Sequence, residues 1–272
     1  MRRMQPMAVL VLGLSMSVVA SAQERTIERT VALEPGGSLS LDTSRGSVRL
    51  TTWHEPGVEV RARIEAPRDI DTDHAREIVD ATHIEVQVAP ARVQVRTDLS
   101  DVRQWWNRGP RRAMPRVHYE IRVPRETDLD LDLDRVAATV RGVQGTITLQ
   151  LDRTDLAAND LRGEIRIDSD RGNIEAVRLH GLLHVDVDRG NAAMRDVRIE
   201  GDSRVAVDRS DLDLELASEQ AVTVHADVSR RARVTSDLPG ATQDSGRRWS
   251  INGGGPELKI AADRGHVRLR SN

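Results

Sequence analysis

The chain of 272 residues contains no cysteine, no phenylalanine and a single tyrosine, Tyr119. The lack of cysteine excludes disulfides, a thiol nucleophile and a lipid anchor on an N-terminal cysteine. Aromatic residues make up only 2%. Large rings ordinarily fill a thick core, so a thin core lined by Val, Leu, Ile and Ala is expected. Charge of one sign is also missing: 40 basic residues face 43 acidic ones, for a net charge of -3. A dedicated nucleic-acid binder carries a clustered basic footprint, and none is expected here. No segment after residue 22 is apolar enough to cross a bilayer as a helix. What the chain does have is charge of both signs, 31% in all, which points to a structure with much of its surface in water.

Residues 1–22 read as a secretory signal peptide. Arg2 and Arg3 supply the positive start, Met7 to Ala20 the apolar stretch, and Ala20-Ser21-Ala22 a small-residue cleavage site. A cleaved, soluble product in the periplasm or outside the cell is the expectation.

The body of the chain repeats. Asp134-Arg135, Asp152-Arg153, Asp170-Arg171 and Asp188-Arg189 follow one another at intervals of 18, and Asp208-Arg209 comes after 20. Asp263-Arg264 recurs near the end, and Ser44-Arg45 is a variant near the start. The apolar residues keep the same phase. Leu129, Leu131 and Leu133 precede the first pair; Ile147, Leu149 and Leu151 the second; Ile165, Ile167 and Ser169 the third; Leu183, Val185 and Val187 the fourth. Each triplet alternates with polar residues, the period-two signature of a strand with one buried face. A second alternating run follows each pair (Ala138 and Val140, Leu156 and Ala158, Ile174 and Ala176), and Gly145, Gly163 and Gly181 mark a corner. One architecture explains these columns: an all-β, single-stranded β-solenoid of about 18 residues per coil over residues 128–272, with equivalent side chains stacked about 4.8 Å apart. Leu39 to Leu50 and Leu258 to Leu269 fit the same register, whereas 218–240 is less regular.

Residues 23–127 are predicted as a β-rich region that caps the first coils: a small antiparallel sheet with a short helix over 71–82, whose Ala75, Ile78 and Val79 share a face. A loop is predicted over 98–116. It holds Trp105, Trp106, Arg108, Arg111 and Arg112, residue types enriched at binding hot spots.

Val117-His118-Tyr119-Glu120-Ile121-Arg122-Val123-Pro124 before the repeats, Ile251-Asn252-Gly253-Gly254-Gly255-Pro256-Glu257-Leu258 after them and the closing Ala262-Asp263-Arg264-Gly265-His266-Val267-Arg268-Leu269 carry a resemblance. The mature chain resembles the DUF4097 family of adhesin-like β-solenoid proteins. That resemblance implies a solenoid fold and no catalytic residue. The family's turn glycine is replaced here by Val136, Thr154 and Ser210.

The stacked Asp and Arg residues have two readings. They are a register lock, each charge offset by its neighbour, or a repetitive surface for a charged polymer such as an envelope glycan. No calcium nonapeptide repeat, zinc-binding His motif, phosphate loop or nucleophile elbow is present, so no metal, cofactor or catalytic residue is expected. The leading expectation is a non-enzymatic, exported envelope scaffold or binding module whose partner is an envelope glycan, a membrane surface or another envelope protein. Two alternatives stand beside it: an envelope-stress, membrane or antimicrobial-peptide sensor working through Trp105 and Trp106, and a polysaccharide-active β-helix enzyme.

Overall fold

The computed structural model describes residues 17–20, 23–68, 70–106, 114–238, 242–244 and 247–271. The expected signal peptide over 1–22 lies outside the described residues, apart from a strand β1 (Ser17–Ala20) paired antiparallel with β2 (Glu24–Val31). The elements that follow are β3 (Gly37–Trp53), β4 (Val58–Glu65), α1 (Thr72–Asp80), β5 (His83–Ala89), β6 (Arg92–Asp98), α2 (Ser100–Trp106), β7 (Arg116–Pro124) and β8 (Thr127–Arg141). Then come β9 (Gln144–Asp152), β10 (Asp155–Arg171), β11 (Ile174–Ile199), β12 (Ser203–Val207) and β13 (Ser210–Leu216). The chain closes with β14 (Val222–Asp237), β15 (Thr242–Asp244), β16 (Arg248–Ile251) and β17 (Glu257–Ser271). The fold is all-β, with two short helices among the described residues.

The strands form because apolar and polar residues alternate, and they stack because one alternating run cannot bury its own apolar face. In Thr127 to Asp134 every Leu is buried and Asp128, Asp130 and Asp132 face out. Leu129 pairs in parallel with Ile147, Ile147 with Ile165 and Ile165 with Leu183, each step 18 residues along the chain. After the Asp-Arg corner a second run repeats the arrangement: Ala138 pairs with Leu156 and Leu156 with Ile174. Each layer thus contributes one run to each of two faces, and the aliphatic core lies between them. β8 turns at its Asp-Arg corner and β10 turns at Asp160 to Gly163, so both serve both faces, and β8, β9 and β10 each pair with the other two.

The layers do not follow chain order at either end. β3 lies between the layer made by β6 and β7 and the layer made by β8, parallel to all three. β17 lies between β12 with β13 on one side and β14 on the other, again in parallel. The stretch 218–240, irregular as a sequence, folds largely into the single strand β14, broken by a bulge between Val228 and Arg231.

Outside the first layer, β5 pairs antiparallel with β6, β4 with β7 and β2 with β4. α1 begins at Asp71, whose side chain caps the backbone N–H of His74 at 3.1 Å, and it buries Ala75 and Val79. Tyr119 is buried in this region, and burial drives its phenol well above the ordinary tyrosine range. Its hydroxyl lies 2.7 Å from Thr97 Oγ1, which lies 2.8 Å from Thr43 Oγ1, so polar atoms from three strands satisfy one another inside the core.

Candidate functional site

The Asp-Arg step is a corner between the two faces, and the corner is built in two ways. In one, Arg takes a left-handed backbone conformation: φ is 56° at Arg135, 51° at Arg153 and 52° at Arg209, while the Ser44-Arg45 variant combines both, with φ 64° at Arg45 and 135° at Gly46. Val136, Thr154 and Ser210, which follow three of these, are side chains buried at the position that Gly172 and Gly190 hold in other layers. In the other, glycine takes the positive φ, as at Gly172 (129°) and Gly190 (143°), and Arg171 and Arg189 keep ordinary backbones. A Cβ on Gly190 would stand 1.8 Å from the carbonyl oxygen of Gly172, which leaves no room for a side chain. Thr154 instead uses its hydroxyl: it donates to Leu133 O at 3.1 Å and accepts from Val136 N at 3.2 Å.

The charges at this corner join neighbouring layers. Arg135 lies 2.8 Å from Asp134, and Arg153 reaches both Asp152 (2.5 Å) and Asp134 (3.7 Å). Arg171 meets Asp170 at 3.2 Å. Arg189 reaches Asp188 (2.8 Å) and Asp170 (3.4 Å), and Arg209 reaches Asp208 (3.1 Å) and Asp188 (2.7 Å). The hydrogen bond from Arg153 holds the Asp152 carboxyl below the usual carboxylate range. At Asp188 desolvation acts in the opposite sense, yet the hydrogen bonds from Arg189 and Arg209 outweigh it and the carboxyl is again lowered. These carboxylates are ionised, paired acceptors, ill suited to deliver a proton.

Sequence reasoning missed two further columns. At the start of several runs an Asp or Asn side chain accepts the backbone N–H of the next layer: Asp128 from Thr146 (2.7 Å), Asp155 from Asn173 (2.9 Å), Asn173 from Asn191 (3.2 Å) and Asp211 from His266 (2.8 Å). The signal was present, since residues 155, 173, 191 and 211 each stand three after an Asp of the corner. The second column is made of Arg, Lys and His. The register aligns Arg166, His184, Arg204, Lys259 and His225 across five successive layers of the first face. Its last two members cannot be placed from sequence, because β14 and β17 stack out of order.

Beside that row, Ala206 and Ala261 occupy two adjacent layers where other layers place longer side chains. The result is a shallow depression of 370 Å³ with Ala206 and Ala261 on its floor and Asp186, Asp208, Asp227, Ser229 and Asp263 around it. Asp186 is raised above the usual carboxylate range, first by burial and then by Asp168, with Arg204 opposing. Among the described residues no three His, Asp or Glu side chains are grouped so as to hold a metal ion.

The segment 98–116, expected as a loop, contains a helix. Leu99 and Val102 are buried and anchor α2, whose last two residues are Trp105 and Trp106. Ser100 enters it with its backbone N–H donated to Asp98 at 2.9 Å, a local turn signal hidden by the polar composition of the segment. Arg108, Arg111 and Arg112 lie outside the described residues.

No family model matches the chain. No curated protein matches it either. Among solved structures, a "putative cell adhesion protein" from Clostridium sporogenes aligns with 90% of this chain and 99% of its own, at 13% identity and a TM-score of 0.33. A "putative adhesin" from Bacteroides fragilis aligns with 91% of this chain and 97% of its own, at 10% identity and a TM-score of 0.36. Likeness at that level leaves both architecture and function to be argued from this chain's own residues.

Proposed function

We propose that the protein is an exported, non-enzymatic β-solenoid of the cell envelope, an adhesin-like scaffold that binds an extended envelope glycan along its first face. The observation that carries this reading is the parallel register of 18 residues, which turns single side chains into unbroken columns about 4.8 Å apart. A polymer meets such a surface as a repeat meeting a repeat. The depression over Ala206 and Ala261 supplies an apolar floor with a polar rim, flanked by Arg204 and Lys259 in the same layers. The corner carboxylates are held by guanidinium groups, which supports a structural role for them.

A panel of envelope glycans, read for both binding and chain cleavage, tests the proposal. The expected result is salt-sensitive binding without cleavage. It is weakened in the double variant Ala206→Gln, Ala261→Gln, which fills the depression and leaves the thermal midpoint unchanged. Cleavage of any polymer, or binding indifferent to that double variant, overturns the reading.

A further inference from the structure

The two ends of the stack are finished differently. At the N-terminal end the outermost layer is covered on both faces, by β5 along β6 and by β4 along β7. At the C-terminal end the outermost layer is β14, and β16 covers only Val222 to His225. Arg247 extends that cover slightly, its carbonyl accepting from Ala226 N at 2.9 Å and its guanidinium donating to Val228 O at 2.8 Å. From Arg231 to Asp237, β14 pairs with β17 on one side, and among the described residues no strand pairs with the other.

That free edge continues the core. Ala232, Val234 and Ser236 stand over Gly265, Val267 and Leu269. Val267 and Leu269 are buried; Ala232 and Val234 are only partly covered, and Ser236 is exposed. An added strand would cover this row and take up the free backbone N–H and C=O groups. The edge is also cationic at its start, while Asp237 at its end stands beside Arg270. Arg230, Arg231 and Arg233 are exposed and make no ion pair among the described residues, whereas Arg268 and Arg270 of the layer below are both engaged by Asp213. The fold already shows what sits beside a basic row on this face. β13, with Leu212, Leu214 and Leu216 inward and Asp211, Asp213 and Glu215 outward, lies parallel to His266, Arg268 and Arg270 of β17.

We infer that the outer edge of β14 over Arg231–Asp237 is a strand-addition site for an acidic, alternating extended segment of a partner protein. The site is separate from the first face and stands whether or not a glycan binds there.

The probe is a labelled peptide with the sequence of residues 209–217, compared with one in which its Asp and Glu are replaced by Asn and Gln. Anisotropy with the full chain is expected to show saturable binding to the acidic peptide. Binding should be about tenfold weaker for the neutral peptide, for the exposed charge-reversal variant Arg231→Glu, Arg233→Glu, and at raised salt. Hydrogen exchange should show new protection at 231–237 alone. Three results overturn the inference: no binding, equal binding by the charge-reversed variant, or protection elsewhere. So does strong protection of 231–237 without peptide, which means that the chain covers its own edge. Concentration-dependent dimerisation that the peptide fails to disrupt overturns it as well, by assigning the edge to a second copy.

Discussion

Ser169 occupies the column that holds Leu133, Leu151 and Val187 in neighbouring layers, and it is fully buried. Its hydroxyl has no hydrogen-bond partner among the described residues. An unsatisfied buried hydroxyl costs about 1–3 kcal/mol, so Ser169→Val is expected to raise stability by about 1 kcal/mol. A urea midpoint that falls instead would show the site to be too tight for the added methyl groups. Two carboxylates should respond to pH in opposite senses. Burial, followed by the charges of Asp42, Asp130 and Asp134, raises Asp132 above the usual carboxylate range. The folded state then holds that proton more tightly than the unfolded chain, and stability is lost as pH rises through the raised value. Asp132→Asn is therefore expected to be more stable than the parent at neutral pH, with the advantage vanishing in acid. Asp188, held low by Arg189 and Arg209 against its desolvation, contributes stability above the ordinary carboxylate value and loses it as pH falls. Asp188→Asn should cost stability at neutral pH and little in acid. Thermal melts across pH separate the two, and parallel profiles would refute both assignments.

At the scale of the element, the corners explain a departure that the sequence shows without its cause. Where glycine is replaced by Val136, Thr154 or Ser210, the preceding Arg has taken over the left-handed conformation. The two kinds of corner should tolerate mutation differently. Gly190→Ala places a Cβ against the Gly172 carbonyl at positive φ and is expected to cost about 3 kcal/mol. Thr154→Ala removes only the hydroxyl's bonds with Val136 N, Leu133 O and Asp152 O and should cost about 1 kcal/mol. Equal costs in chemical denaturation would mean that the two corners are one. The alternating runs, the Asp-Arg spacing and α1 were legible because each rests on local periodicity or capping. The left-handed positions at Asp160, Arg178 and Asp196, 18 apart and in phase with Gly142, were not. Asp and Arg do not announce a positive φ in the way glycine does. The helix α2 was hidden for a related reason: Leu99 and Val102 are too few to set up a visible helical period.

For the molecule as a whole, the order of layers was the part that sequence could not give. Repeats separated by 18 residues reveal their neighbours, but the partners of β3 and β17 lie far along the chain, where no spacing rule reaches. The row of Arg, His and Lys on the first face was illegible for the same reason. β17 bridges β12 and β13 to β14, so a chain stopped after Pro256 should lose β14 and the β15–β16 hairpin while β8, β9 and β10 stay folded. Hydrogen exchange is expected to show 222–251 unprotected and 127–171 still protected. Persistent protection of β14 would mean that it docks directly on β12 and β13.

Placing β17 inside the stack also sets a clock. A ribosome releases β14 before β17, yet β14 belongs on the outside. It must wait undocked, or sit on β13 and be displaced. At the other end β3 is made before either of its flanking layers. The C-terminal layers settle only once β17 has emerged to lie between β13 and β14.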